Sequence, residues 1–421
     1  MSDTITLTLD AEASHLAVPD LRLVVLRGPD RGRACRLDRD EILIGTSPAA
    51  GLVMTDPAVS RLHASVRVTE RGVLVTDLGS TNGTRVERRG VVAAFVEPGE
   101  SIELGSSRLR IERSRGRTEL PLAPAGSYGP LHGRSIAARR LFAQLAQVAA
   151  ADVNVLLLGE SGVGKDLCAQ AIHDASPRRD GPFVVFDCGA LGHRAGSPEP
   201  FGPDRAATAD AGAGRGGAFV AAHGGTLFLD EVGDLSRDQQ ATLVRELDRN
   251  ESRPAGDRAR PVRVIAASNR DLGGELNHGS FREDLYYRLH GVAVTVPPLR
   301  ERLDDVPVLA DLFWSRFVAD PDARCPPELL PEMVAGRWPG NVRELRNRVE
   351  QLAVLQQTEA PAADAPTFRT AKTAAMDAFE VNYLRDVLTR ADGNVSAAAR
   401  LAGMDRVHLS KLLRKHGLRG A

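Results

Sequence analysis

At 421 residues, 43% hydrophobic and 26% charged, the chain is long enough for roughly two to four domains. A formal net charge of −1 excludes a basic nucleic-acid coat, so any DNA contact has to be a local patch. Cys35, Cys168, Cys188 and Cys325 show no paired spacing and read as reduced thiols; no apolar run reaches the roughly 18 residues of a membrane span, and the start, MSDTITLTLD, lacks an apolar signal core, so a cytoplasmic protein with no membrane contact is expected.

Residues 1–20 read as a leader. From 21 to 113 the pattern is short alternating runs (LRLVVLRG, EILIG, ASVRVTE, GVLVTDLG, SIELG, RLRIE) separated by Gly, Pro, Asp and Asn, which predicts a β-sandwich. Within it lie Val59-Ser60-Arg61-Leu62-His63 and Asp77-Leu78-Gly79-Ser80-Thr81-Asn82-Gly83-Thr84. In this order and spacing they resemble the forkhead-associated (FHA) domain, a reader of phosphothreonine peptides. The resemblance implies that Ser60 and Arg61 take the phosphate, a group of nearly two negative charges and three acceptor oxygens. It gives the peptide backbone to Asn82, with Thr81 assisting. His63 and Gly83 read as scaffold. Where the family has Gly-Arg after the third strand, this chain has Gly45-Thr46, so one phosphate-binding arginine is missing. A hydrogen bond to a charged group contributes about 1.5–3 kcal/mol, enough to weaken affinity about tenfold or more. Two occupants stay open for these loops: a phosphothreonine protein or kinase, or an unphosphorylated or intramolecular partner.

Residues 114–129 (SRGRTELPLAPAGSYG) read as a linker. After a helical stretch, the apolar run 153–158 predicts a buried parallel strand. It enters Gly159-Glu160-Ser161-Gly162-Val163-Gly164-Lys165-Asp166, and a helical pattern follows. Strand, Gly-rich loop and helix form the setting of a P-loop, whose backbone amides close around a polyphosphate while Lys165 reaches its β/γ-phosphates. Further on, 226–229 is a second apolar strand ending in Asp230-Glu231. Asp230 is placed to hold Mg2+ and Glu231 to polarise the attacking water, so ATP, Mg2+ and an ATPase activity are expected.

GESGVGKD, FREDLYYRL, PPLRER and WPGNVREL occur in order between about 130 and 357. Together they resemble the AAA+ domain of bacterial enhancer-binding proteins, the sigma-54-dependent activators. The resemblance implies an α/β ATPase subdomain (130–299) and a helical lid (300–357). It accounts for an acidic Asp166, makes Asn269 a γ-phosphate sensor, and gives Arg282 and Arg288 the role of arginine fingers acting on a neighbouring subunit of an oligomer. Arg343 becomes the lid arginine that senses nucleotide. It names RNA polymerase with sigma-54 as a partner, and here the chain departs from the family. The GAFTGA loop that grips sigma-54 aligns with Ala206, Ala207, Thr208, Ala209, Asp210 and Ala211, without the aromatic. The family's Asn that donates to the Walker B glutamate is Asp187, a carboxylate that accepts but does not donate.

Residues 358–375, rich in Ala and Pro at their start, read as a second linker. The last stretch, 376–421, carries two short helical runs joined at Gly403, a helix-turn-helix. Residues 393–400 (GNVSAAAR) resemble the Fis-type DNA-binding domain. Asp405 is placed to cap the last helix. Arg406, His408, Ser410 and Lys411 lie where base edges are read, and Arg414 and Lys415 are the expected phosphate contacts. The expectation is a multidomain regulator: an FHA β-sandwich, an α/β P-loop AAA+ domain with helical lid, and an all-α helix-turn-helix. Two functions remain: an ATP-driven sigma-54-dependent activator, or a DNA-bound regulator responsive to phosphorylation and nucleotide that does not remodel sigma-54.

Overall fold

The computed structural model describes residues 14–38, 41–69, 72–124, 126–190, 201, 217–252, 261–359, 368–391 and 393–418. They fall into two compact units, 1–353 and 354–421.

The first unit begins with the expected sandwich. Its strands are β1 (His15–Arg27), β2 (Ala34–Arg36), β3 (Glu41–Gly45), β4 (Leu52–Val53), β5 (Ala64–Thr69), β6 (Gly72–Asp77), β7 (Thr84–Val86), β8 (Arg89–Val91), β9 (Ala93–Val96), β10 (Ser101–Leu104) and β11 (Ser107–Pro121). One sheet has the order β2-β1-β11-β10-β7-β8 and the other β4-β3-β5-β6-β9. Alternation along the strands turns Leu23, Val25, Ile42, Ile44, Val66 and Ile111 into one shared core.

Two boundaries differ from the sequence expectation. The end of the presumed leader, from His15, is strand β1, and the presumed linker 114–129 is strand as far as Pro121. The two pair antiparallel from His15 opposite Pro121 to Pro19 opposite Arg117. Leu16, Val18, Leu120 and Leu122 form a small buried cluster over Ile136. Pro19 sits beside a register shift, where a residue without an N–H is tolerated. Local composition, two prolines and an arginine run, concealed a pairing between stretches about a hundred residues apart. The presumed linker ends in the first strand of a hairpin, β12 (Gly126–Tyr128) with β13 (Leu131–Gly133).

The ATPase subdomain follows: α1 (Ile136–Ala150), β14 (Val155–Leu158), α2 (Lys165–Asp174), β15 (Phe183–Asp187), α3 (Ala218–Ala221), β16 (Thr226–Asp230), α4 (Arg237–Glu251), β17 (Arg263–Ser268), α5 (Leu272–His278), α6 (Glu283–Leu289) and β18 (Val292–Thr295). The strands are parallel, in the order β15-β16-β17-β14-β18. On one face α1 and α2 bury Phe142, Leu145 and Ile172 against Val155 and Ile265; on the other α4, α5 and α6 bury Leu243, Leu276 and Leu285 against Leu227 and Val264. A parallel sheet covered on both faces needs unbroken apolar strands, which is why VLLL and TLFL read so clearly. Ser135 caps α1 through the Ala138 amide, and Asp305 holds the Ser135 amide and hydroxyl from the lid side.

The lid comprises α7 (Val306–Val318), α8 (Leu330–Ala335) and α9 (Asn341–Glu359) around Phe313, Trp314, Met333, Trp338 and Leu345. In the second unit, α10 (Phe368–Arg390) begins inside the stretch expected to be linker, 358–375; its Phe368 start lies two residues past Pro366, the last proline of that stretch. Then come α11 (Val395–Leu401) and α12 (Arg406–Lys415), packed on α10 through Leu384, Val387, Ala398, Leu409 and Leu413. Among the described residues no helix is long and apolar enough to cross a membrane.

Candidate functional site

The C-terminal ends of β14, β16 and β17 converge on the P-loop, where ligands bind in open parallel sheets. Gly164 has φ +100° and precedes α2, a left-handed turn that lets the loop wrap back over the helix start. Gly162 lies so close to the lid that a Cβ would come 2.4 Å from the Gly340 carbonyl oxygen. Lys165 is 6% exposed. Its Nζ donates to the carbonyls of Gly159 (2.9 Å) and Glu160 (3.2 Å) and lies 3.4 Å from Glu231 Oε1. Glu231 itself has φ +53°, a left-handed backbone that costs a non-glycine residue energy and that concentrates at functional sites. Its Oε2 accepts from the Asn269 amide at 2.8 Å. Lys165, Glu231 and Asn269, distant in sequence, therefore meet.

Asp230 ends β16 beside them. Burial raises its pKa above the ordinary carboxylate value, and the charges of Glu231, Asp166 and Asp187 add to the rise against the pull of Lys165. A carboxylate such as Asp230, set among other carboxylates at the strand end, is an oxygen ligand suited to a hard divalent cation such as Mg2+. Asp187 lies opposite Asp230 in the β15–β16 register. Its Oδ1 accepts from the amides of Gly189 (2.9 Å) and Ala190 (3.3 Å), so it closes its own loop and gives Glu231 no donor.

The lid supplies residues that the sequence reading passed over. Arg300 grips Glu160 with two bonds, 2.6 and 2.8 Å, and this pairing holds the Glu160 carboxyl below its usual pKa. Asn341 Nδ2 donates to Glu160 Oε2 and to the Ser161 carbonyl, both at 3.0 Å. Arg302, buried, donates to the Val163 carbonyl at 2.9 Å. All three lie in PPLRER and WPGNVREL, so the signal was present as motif but not as role. Arg343 Nη1 lies 3.0 Å from Ser161 Oγ.

Arg282 and Arg288 stand at the two ends of α6. Arg282 is its N-cap and pairs with Asp284 (2.6 Å); Arg288, in the last turn, pairs with Asp248 and Glu251 of α4. Among the described residues neither bonds the P-loop of its own chain. Residues 206–211, aligned with the sigma-54 loop, lie outside the described residues.

In the sandwich, the residues given to phosphopeptide reading come together at the loop ends. His63 is buried; its Nδ1 accepts from the Ser60 amide (3.0 Å) and its Nε2 lies 3.3 Å from the Gly83 carbonyl oxygen, the pattern of a neutral ring. Ser60 Oγ accepts from the Thr81 amide at 3.0 Å, and Asn82 Nδ2 donates to the Ala58 carbonyl at 2.7 Å. Gly45 is required: a Cβ there would overlap the Arg61 carbonyl. Arg61, however, is turned onto the ATPase subdomain. It bonds the carbonyls of Leu276 and Asn277 and lies 3.4 Å from Glu283. Leu62 is 0% exposed in the ATPase core cluster, and burying a leucine contributes about 1.5–3 kcal/mol.

In the second unit, Asp405 caps α12 through the amides of Val407 and His408, as expected, and Asn394 caps α11. Gly403 has φ +64° in the turn between them. Leu409 and Leu413 face the core, leaving Arg406, His408, Lys411 and Arg414 exposed and Ser410 half-buried. Lys415 differs: its Nζ is engaged by Asp377 (2.8 Å) and Glu380 (3.0 Å) of α10.

Comparison with known proteins agrees with this order of domains. Residues 131–295 match the sigma-54 interaction domain, 300–375 the AAA+ ATPase lid domain, and 375–416 the bacterial regulatory protein, Fis family. Residues 24–115 match a family described as the cytoplasmic domain of an inner membrane component of T3SS. The transcriptional regulatory protein GlrR of Escherichia coli K12 is 42% identical over 297 residues, 66% of this chain and 66% of its own length. ZraR of the same organism is 36% identical over 367 residues, 81% of this chain and 82% of its own. Among solved structures, NtrX from Brucella abortus in complex with ATP is 33% identical, covering 69% of this chain and 70% of its own, at a TM-score of 0.47. A phosphothreonine-dependent FHA domain is 30% identical, covering 23% of this chain and 97% of its own, at a TM-score of 0.21. With its sigma-54 interaction domain, its lid and its Fis-type helices in this order, the chain belongs to the bacterial sigma-54-interaction transcriptional regulators.

Proposed function

We propose that the chain is an ATP-binding, DNA-binding transcriptional regulator whose N-terminal sandwich senses a phosphothreonine partner. The observation that carries the nucleotide reading is the buried Lys165, held between P-loop carbonyls and Glu231, with Asn269 on Glu231 and Arg343 on the loop. Mg2+, held by Asp230, would neutralise phosphate charge. Lys165 and the loop amides bind the phosphates, Glu231 orients water, and Asn269 reports on the γ-phosphate end. Arg282 and Arg288 act on a neighbouring subunit, which makes hydrolysis depend on assembly. The exposed cations of α12 contact DNA, with Arg406 and His408 toward base edges and Arg414 toward phosphates; the exposed, stacked Phe379 and Tyr383 on α10 offer a surface for pairing two copies.

A second reading keeps nucleotide and DNA binding but drops sigma-54 remodelling. Asp187 favours it, since its carboxylate is spent on its own loop where the family's residue donates to the glutamate. The sequence at 206–211 points the same way. Open-complex formation at a sigma-54 promoter carrying this protein's site tests both. ATP-dependent opening that is lost in Lys165→Ala supports the activator. DNA protection with no opening, and no capture of sigma-54 with a transition-state nucleotide analogue, supports the second reading. Absence of both ATP and DNA binding sinks the proposal.

A further inference from the structure

The Arg61 side of the sandwich face assigned to phosphopeptides is covered by the chain's own ATPase subdomain, while Thr81 and Asn82 stay exposed. Arg61 meets a carboxylate, Glu283, at 3.4 Å and two backbone carbonyls. Asn277 Nδ2 donates to the carbonyls of Leu62 (2.7 Å) and Leu78 (3.0 Å), and its Oδ1 lies 3.4 Å from the Leu62 amide. One amide side chain thus bridges the two loops that bear SRxH and STNGT. Ser47, just past the position of the missing arginine, is bonded by the Tyr287 hydroxyl. The loop tip at Gly79 is set so close that a Cβ there would lie 3.1 Å from the Gly274 Cα.

We propose that the stretch 276–287 is the resident ligand of the FHA loops, with Glu283 standing in for phosphate on Arg61, and that a phosphothreonine peptide is its competitor. The inference rests on the phosphothreonine reading above. Three features favour a carboxylate ligand in cis. A carboxylate carries one charge where phosphothreonine carries close to two, and this chain has one phosphate-binding arginine fewer because Thr46 replaces it. Backbone carbonyls of Leu276 and Asn277 fill the rest of the Arg61 fork, as a peptide backbone would. The dock is also reachable: Arg61 borders an open cavity of about 510 Å3, lined as well by Arg237, Arg282, Glu283, Asp284 and Tyr287. A dianion entering there competes for Arg61 with advantage of charge, and the same guanidinium cannot serve both partners. Because Arg282 lies within the docked stretch, phosphopeptide binding releases the segment that carries it.

The test uses the full chain, a degenerate phosphothreonine peptide pool and its unphosphorylated twin. Amide exchange should show 272–289 protected in the unsubstituted chain. The phosphorylated pool should speed that exchange about tenfold or more, and the plain pool should leave it unchanged. Asn277→Ala combined with Glu283→Gln should bind the phosphorylated pool at least about tenfold more tightly than the unsubstituted chain, whereas Arg61→Ala should lose it. Equal affinity of the unsubstituted and doubly substituted chains, with exchange indifferent to peptide, overturns the competition and leaves phosphothreonine reading standing. Failure of both chains to distinguish the two pools overturns both. The exchange arm needs no substitution, so a variant that fails to fold does not decide the result.

Discussion

Lys165 and Arg61 are both cations that the sequence assigns to phosphate, and the fold treats them in different ways. Lys165 is held by groups of its own loop and by Glu231, all inside one subdomain. Its site is built before any ligand arrives, and the lid residues Arg300, Asn341 and Arg343 brace the loop from above. Arg61 is more open, its side chain 38% exposed, yet its bonds go to a different domain 215 to 222 residues away in sequence. The first site is assembled from its own subdomain; the second takes its partners from another domain. Preorganisation and occlusion use the same chemistry of charge and backbone carbonyls, and they differ in which part of the chain supplies the partner.

The largest effect that would break this comparison is at the P-loop. Lys165→Ala should weaken nucleotide binding on the order of a hundredfold, since a charge-assisted phosphate contact inside a buried loop is lost. Titration with a fluorescent ATP analogue reads it, and phosphothreonine binding should be unaffected. An affinity within about twofold of the unsubstituted chain would mean that the loop is not the nucleotide site. A smaller change is expected from Asp187→Asn. Its Oδ1 keeps the Gly189 and Ala190 amides, while the new Nδ2 can donate towards Glu231 and one charge leaves the cluster that raises Asp230. Turnover should rise by about two- to tenfold with little change in ATP affinity; a steady-state ATPase assay that finds turnover unchanged or lower would remove Asp187 as the brake.

The smallest effect sharpens the sandwich side. Burial holds the His63 pKa below the ordinary histidine value of 6.5, so the unfolded chain takes up a proton more readily than the folded one. The stability given by neutral His63 is complete above about pH 6.5 and declines as pH falls below it. Protonation also removes the acceptor of the Ser60 amide, which positions the Ser60–Arg61 loop. Thermal unfolding of the full chain at about pH 7.5 and 5.5 should show a drop that is smaller in His63→Gln. Some drop will persist, because burial lowers His173 and His290 in the same direction. Identical drops in both proteins would show that His63 contributes none of it.

The sequence by itself determined the three folds, the P-loop, the Walker B pair and the Asp405 cap of the last helix, because each is fixed by residues close in the chain. An apolar run that ends in glycines and lysine dictates strand, loop and helix wherever it stands. Asp405 caps α12 through the next two turn amides. Only the tertiary structure decided the partners that cross long stretches of chain. It paired His15–Pro19 with the arginine-rich end of β11, where prolines had suggested a leader and a linker. It gave Lys415 to Asp377 and Glu380. It made Glu160 the clasp between P-loop and lid, and it set Arg61 against Glu283 and the carbonyls of Leu276 and Asn277. The physical reason is the same in each case: a charged side chain shows its charge in sequence but not its counter-charge, and which opposite group lies within about 4 Å is settled by packing of the surfaces around it.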